Sequence, residues 1–455
     1  MSIASILNNG IKGMNATQMA TQTASANVSN SATVGYTRRT TTILPNQTLI
    51  ANSGSKRVVE PFIEKRLLSA KSGSGEASAQ ARAVSVLDNV FAEGDGSIGS
   101  ALDAFQVSMA NLGARPEDPA TRQQVLSTAS NLSTAFGNAS AQLKTAMADT
   151  NAAVHADLTA VNERLHRIAS LGTEIQKAEI GGEEASDMRD QRDVLIGEVA
   201  ERVPVTVLDQ GNGQISLMLG GSHQLVTPDG KVGELSTMVG DGGNIRIQKT
   251  VAGAVVDVTE QVKSGSVGGQ LKARAGGLTE AQKKLDQLAY DITSAYNDAH
   301  KAGFGTDGVN NRNLFAEQPS LAGAAENFAV SIDVLDQPGN IAAAASATTT
   351  PSDNRNALAL AAVATRGVAV GGQTVIEALS SLIGSSGSIV QNALQAESFS
   401  SGALEQIEAL HQNVSGVSSD EEMVEMMKYQ RAYQASLKVI SMADQMLNDL
   451  LNIRG

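Results

Sequence analysis

The sequence predicts a mainly α protein: a body of long helices bundled together, a small β domain inserted into it, and terminal helices that form a coiled-coil-like pair. Three observations carry this expectation. Apolar residues recur at spacings of three and four over most of the 455 positions, as when one face of a helix turns inward. Only between residues 204 and 269 does the period fall to two, which is the period of a strand. Aromatic residues make up 3 %, with no tryptophan, against 42 % hydrophobic residues overall. The core must then be filled by Ala, Val, Leu, Ile and Met, which suits close helix packing.

So long a chain exceeds one ordinary core, and the order of its periods implies a nested division. Residues 1–60 with 415–455 form a terminal helical unit, 61–203 with 270–414 the helical body, and 204–269 the β insertion.

Residues 1–30 read as a helix with Ile3, Leu7, Ile11 and Met14 near helical spacing. Its apolar face is so thin that it is marginal alone. Residues 33–59 are polar and β-leaning, centred on Thr40, Thr41, Thr42 and Ile43. Helical patterns dominate 61–203. Pro116 and Pro119 bracket a helix start at Glu117-Asp118, because proline is tolerated in the first turn. Val154, Leu158, Val161, Leu165, Ile168 and Ile175 lay one stripe along a long helix, which Gly181-Gly182 ends before a shorter helix over 187–201.

In the β unit, Val205 and Val207, then Ile215, Leu217 and Leu219, then Ile245 and Ile247, then Val256 and Val258 alternate. Gly211-Asn212-Gly213, Asp229-Gly230 and Asp241-Gly242-Gly243-Asn244 supply the turns, and the unit ends near Gly268-Gly269. Helix returns over 278–302. A loop with Gly303, Gly305 and Gly308 leads to a strand-like run at 328–334. Helices follow at 357–365, 375–383 and 389–413, and a last long one at 418–451.

The formal net charge of −13 and the lack of any Lys/Arg block exclude nucleic acid as a partner, since phosphate binding needs a basic stripe. No apolar run approaches the roughly 18 residues of a membrane span, so no membrane insertion is expected. The opening MSIASILNNGIKGMNATQ has neither a cationic start nor a continuous apolar stretch, unlike a cleavable secretory signal. Cysteine is absent, which in an exported protein avoids unwanted disulfides.

No catalytic constellation emerges, and neither cofactor nor metal is expected. His155, His166, His223, His300 and His411 are scattered and read as solvated side chains. There is no GxSxG elbow, P-loop or dinucleotide fingerprint. Asp187, Asp190 and Asp193 share a helix face that in principle holds a hard cation. An exposed helix start, with the acids paired to neighbouring Arg189 and Arg192, is the favoured reading.

The C-terminal segment is the most ordered pattern. Met423, Met426, Gln430, Tyr433, Leu437, Ile440, Asp444, Leu447 and Leu451 stand at heptad a and d positions, broken only by Gln430 and Asp444. Ser418 with Glu421 makes a capping box, and Asp420, Glu422 and Glu425 suit the helix dipole. Such a seam needs the N-terminal helix, a neighbouring subunit, or both.

The run GVSSDEEMVEMMKYQRAYQAS at 416–436, continuing through Val439-Ile440-Ser441-Met442-Ala443-Asp444-Gln445-Met446-Leu447, resembles the C-terminus of the flagellar rod, hook and hook-associated axial proteins. Ala26-Asn27-Val28-Ser29-Asn30 with Thr33, Gly35, Tyr36 and Arg38 resembles the motif after that family's first helix. Ala32 and Val34 stand where the family usually has Asn or Asp and Pro. The segments 187–193, 284–290 and 353–358, and Asn297, His300 and Gly303 ahead of Asn313-Leu314-Phe315, are similar to the hook-associated branch.

The resemblance implies a non-enzymatic structural subunit of the bacterial flagellum at the hook–filament junction. It would be exported unfolded by the flagellar type III route with an uncleaved N-terminal signal. Implied partners are copies of itself, the hook protein below, a second junction protein on the filament side, and a cytoplasmic export chaperone at the C-terminal helix. The implied assembly interface comprises Asn27, Asn30, Gly35, Tyr36, Met423, Met426, Gln430, Tyr433, Leu437, Ile440, Leu447 and Leu451. Two alternatives stand beside it: the hook protein itself, which would carry a mostly β body over 61–203, and a filament-displayed enzyme with chemistry in the β insertion.

Overall fold

The structure is a computed structural model that describes residues 2–41, 55–211, 213–240 and 243–452. Thr42 and Ile43 of the expected β-leaning stretch lie outside the described residues, as do Asn212, Asp241 and Gly242 of two expected turns.

Helix α1 (Ile3–Ser29) starts behind Ser2, whose hydroxyl accepts from the Ser5 amide. Two short antiparallel strands follow, β1 (Arg39–Thr41) and β2 (Ser55–Arg57). Then come α2 (Pro61–Val84), α3 (Val86–Val90), α4 (Ile98–Ala114) and α5 (Pro119–Ala178). Asp118 caps α5 by accepting from the Ala120 amide, with Pro119 in the first turn. At 60 residues it is a rod about 90 Å long, closed by a 3₁₀ turn and Gly182 at φ 85°. Helix α6 (Ser186–Ala200) leads into two three-stranded antiparallel meanders. They are β3 (Val205–Gly211), β4 (Gln214–Leu219) and β5 (His223–Val226), then β6 (Glu234–Val239), β7 (Ile245–Val251) and β8 (Ala254–Asp257).

Helix α7 (Gly265–Lys272) runs through a π-helical stretch over Ala273–Leu278 straight into α8 (Thr279–Lys301). An irregular segment then precedes α9 (Arg355–Ala362), α10 (Val375–Ser415) and α11 (Ser419–Asn452).

Two apolar cores hang on this frame. The first joins α4, the first half of α5, α8, α9 and the start of α10. It gathers the scarce aromatics: Phe105 meets Tyr296 edge-on at 5.0 Å, and Phe315 stacks on Phe328 at 4.6 Å. The second takes Val154, Leu158, Val161, Leu165 and Ile168 of α5 against α6, both sheets and α7. The cores therefore part near Thr150, midway along α5, and not at the start of the β unit. The strands bury Ile215, Leu217, Leu219, Leu235 and Ile247 against that distal half of α5. Gly268 and Gly269, expected to close the β unit, lie inside α7. There a Cβ on Gly269 would stand 2.1 Å from the Glu76 carbonyl oxygen of α2, a contact that only glycine permits.

Other expectations are corrected. The strand-like run at 328–334 has only an isolated bridge from Val330 to Phe315, because the chain turns at once, Val334 N–H donating to Ser331 O. The helices expected at 375–383 and 389–413 are one, α10: Gly384 and Gly387 meet nothing, and mid-helix glycine costs only about 1 kcal/mol each. Strands β5 and β6 were not marked by alternation. His300, expected to be solvated, is fully buried. Its Nδ1 lies 2.8 Å from Arg312 O and its Nε2 accepts from Ala342 N–H at 3.0 Å, so the neutral ring pins the irregular segment to α8.

Candidate assembly interface

Helices α1 and α11 pair antiparallel, with Gly10 beside Ile440, Gly13 beside Ser436 and Asn27 beside Glu422. The face that α1 buries is Gly10, Thr17, Ala20, Ala24 and Asn27. These small residues let the backbones approach: a Cβ on Gly10 would sit 2.7 Å from Ile440 Cγ1. The Thr17 hydroxyl folds back onto Gly13 O at 2.8 Å, so its polarity costs the seam little. The expected apolar face of Ile3, Leu7, Ile11 and Met14 is not the deeply buried one, and Ile11 is exposed.

On α11 the expected heptad divides. Met426, Tyr433 and Ile440 are half-buried on the side facing α1, with Glu422 and Ala443 buried beside them. Met423, Gln430, Leu437, Asp444, Leu447 and Leu451 are exposed. The seam within one chain thus runs through the d residues Met426, Tyr433 and Ile440, and the a residues flank it together with the exposed d residue Leu447. Met427, Met442, Met446 and Leu450 are exposed as well, which leaves α11 with apolar surface that the described residues do not cover.

The motif after α1 forms a polar hub. Asn27, 0 % exposed, donates from Nδ2 to Glu422 Oε2 and to Arg39 O, both at 2.9 Å. Its Oδ1 accepts from the Tyr36 hydroxyl at 2.9 Å and from Arg39 N–H at 3.1 Å. Glu422, 3 % exposed, also accepts from Arg38 Nε at 2.7 Å. Asn30 closes α1 by donating to Ala26 O at 2.9 Å. Gly35 adopts φ 79°, and a Cβ there would lie 2.2 Å from Val194 of α6. The chain can therefore turn against α6 only with glycine at this position. Arg39 caps the Tyr36 ring at 4.7 Å, and burial pushes the Tyr36 phenol up despite that cation.

Of the expected pairing with neighbouring arginines, Arg192 lies 4.0 Å from Asp193, but the acids of α6 also do something neither reading foresaw. Asp187 and Asp190 pair with Arg39, and Asp190 and Asp193 with Arg57. They clamp the β1–β2 segment to the body. Arg189 instead makes two bonds to Glu179, holding that carboxyl below its ordinary range, and Arg192 donates to Gly213 O at 2.6 Å. Burial raises the Asp193 carboxyl, opposed by Arg57 and Arg192. Asp193 lines a groove of about 500 Å³ beside Pro61, Leu68 and Val207, but its carboxylate is taken up by the clamp.

Arg39 and Arg57, and Asp190 and Glu422 as more than helix-start acids, escaped sequence reasoning, since their partners are far away along the chain. Among the described residues, no three metal-binding side chains converge, and no helix is long and apolar enough to cross a membrane.

Comparison with known proteins sets this hub in context. The family described as "Flagellar basal body rod FlgEFG protein C-terminal" matches residues 411–453, a span that contains α11. The family described as "Flagellar hook-associated protein FlgK helical domain" matches residues 84–315, just over half of the sequence. The chain belongs to the FlgK family of flagellar hook-associated proteins. It is 25 % identical to flagellar hook-associated protein 1 of Escherichia coli (strain K12), over 99 % of this chain and 100 % of that protein. It is also 25 % identical to the Bacillus subtilis (strain 168) protein of the same name, over 98 % and 97 %. The structure of the flagellar hook junction protein FlgK from Burkholderia pseudomallei shares the fold, with a TM-score of 0.70 at 16 % identity over 77 % of this chain and 100 % of that one.

Proposed function

We propose that this protein is a structural, non-catalytic subunit of the hook–filament junction, which adds to the hook tip and presents a base on which filament-side subunits assemble. The observation that carries the reading is the α1–α11 pair. Its internal seam uses small residues and the d positions Met426, Tyr433 and Ile440, while Met423, Leu437, Leu447 and Leu451 stay exposed. Burial of one such side chain against a neighbour is worth about 1.5–3 kcal/mol, so copies of the chain and the hook protein are the natural cover. The β sheets, far from the paired ends along the chain, face outward in this reading. Asn27, Asn30, Gly35 and Tyr36 act indirectly, by fixing how the pair leaves the body.

Export follows the flagellum's own type III route with the N-terminus uncleaved, and a cytoplasmic chaperone covers the apolar surface of α11 until then. The terminal unit of 1–60 and 415–455 is the assembly module. The test is a deletion strain: it should build hooks and shed filament subunits into the medium. Normal filaments would sink the junction assignment, and absent hooks would move the protein down to hook or rod.

A further inference from the structure

Helices α2 and α10 run antiparallel as an arm between the body and the terminal pair, with Glu64 Oε1 2.7 Å from His411 Nε2 at one end. Val84 and Ile389 flank Gly277 at the other. Two exposed patches stand on this arm, and the one on α2 is level with Glu405 and Glu408 of α10. On α2, Phe62 is 65 % exposed, Arg66 lies over its ring at 5.8 Å, and exposed Lys65 adjoins them. On α10, exposed Glu405 and Glu408 fall on one helical stripe with half-exposed Glu397 and exposed Leu394, which lies roughly 16–21 Å further along the helix. Among the described residues none of these five charged side chains has an ion-pair partner, and no ion pair joins the two patches within one chain.

We infer that the Phe62–Lys65–Arg66 patch docks, with Phe62 as its apolar anchor, on the Glu405–Glu408 stripe of a second copy of this chain. The argument is charge complementarity. With 34 basic against 47 acidic residues, copies repel on average, so a specific self-contact must bring unpaired cations onto unpaired acids around an apolar anchor. Because the two patches differ and sit level with each other, the contact is heterologous, and its repetition closes a ring or climbs as a helix. The inference rests on the assembly reading above and gives it a lateral surface apart from α11.

The test uses the full chain, whose lack of cysteine confines thiol chemistry to introduced sites. Arg66→Cys and Glu405→Cys proteins are mixed at high concentration with a short bis-thiol crosslinker. Mixed 66–405 dimers should dominate over same-site dimers and fall steeply as salt is raised. Lys65→Glu in the first protein should cut their yield roughly tenfold, and Glu408→Lys in the second should restore it. Dominant same-site dimers, no dimers at all, or a yield indifferent to salt and charge overturns the contact. Crosslinks that form although the deletion strain keeps normal filaments would overturn the junction reading and leave this contact standing. Shedding of filament subunits without crosslinks would do the reverse.

Discussion

Asn27 and Glu422, 395 residues apart in the sequence, share a buried hydrogen bond of 2.9 Å. The Asn27 amide makes two donor and two acceptor bonds, which is the full capacity of that side chain. One side chain thus joins α1, the segment at Tyr36 to Arg39, and α11.

Replacing Asn27 by Ala strands Glu422 Oε2, the Tyr36 hydroxyl and the Arg39 amide together. The expected loss is about 2–3 kcal/mol in the free energy of docking the terminal pair. Asn27→Asp should be worse, since it sets a second carboxylate against Glu422. Hydrogen exchange at α1 and α11 reads both. Unchanged protection in either variant would mean the hub does not hold the pair.

Two positions three residues apart separate the seam from the flank. Ile440 lies on Gly10, whereas Leu437 is exposed. Ile440→Lys should loosen α1 in the free protein, and Gly10→Val should do the same from the other side. Leu437→Lys should leave melting unchanged yet abolish addition to filamentless hooks when purified protein is supplied. Equal melting losses at both positions would show that Leu437 belongs to the monomer.

Burial lowers the His300 imidazole from its ordinary 6.5 to about 4, and the neutral ring is the form that accepts from Ala342 N–H. The unfolded chain binds the proton first, so stability present above pH 6.5 is lost as pH falls toward about 4, at up to about 1.4 kcal/mol per pH unit. His411, raised by Glu64, contributes with the opposite sign. Comparing urea midpoints at pH 7 and pH 5 for the parent and His300→Gln isolates the first effect. The parent should weaken more than the variant, and an identical loss in both would remove His300 from the account.

Excising residues 204–269 with a Gly-Ser bridge should not leave an intact helical body. Val154, Leu158, Val161 and Leu165, each at most 1 % exposed, would be laid open along the distal half of α5. Circular dichroism should show lost helix, and the shortened chain should aggregate. A soluble deletion variant with the parent's helicity would mean that the sheets form a separate unit after all.

The helices were legible because burial on them is periodic: every residue of the 154–175 stripe proved buried. The α1 face was misjudged because glycine, alanine and threonine bury themselves by allowing close approach, a property no hydropathy pattern registers. The α11 heptad was visible, but which of its two flanks meets α1 depends on Gly10 and Gly13, over 400 residues earlier. The acids of α6 were legible as a cluster and illegible as a clamp. Arg39 and Arg57 reach them only because Gly35 turns the chain back on Val194. His300 was misread because the carbonyl and amide that fix its ring come from an irregular segment with no period to read.

The pairing of α1 with α11 also sets an order in time. Wherever the chain emerges gradually from its N-terminus, α1 comes first and its partner last. With so thin an apolar face, α1 gains little by coiling alone, and its seam cannot close before α11 has followed. The earliest segment to appear is therefore among the latest to become fixed. The bond between Asn27 and Glu422 records that α11 has arrived.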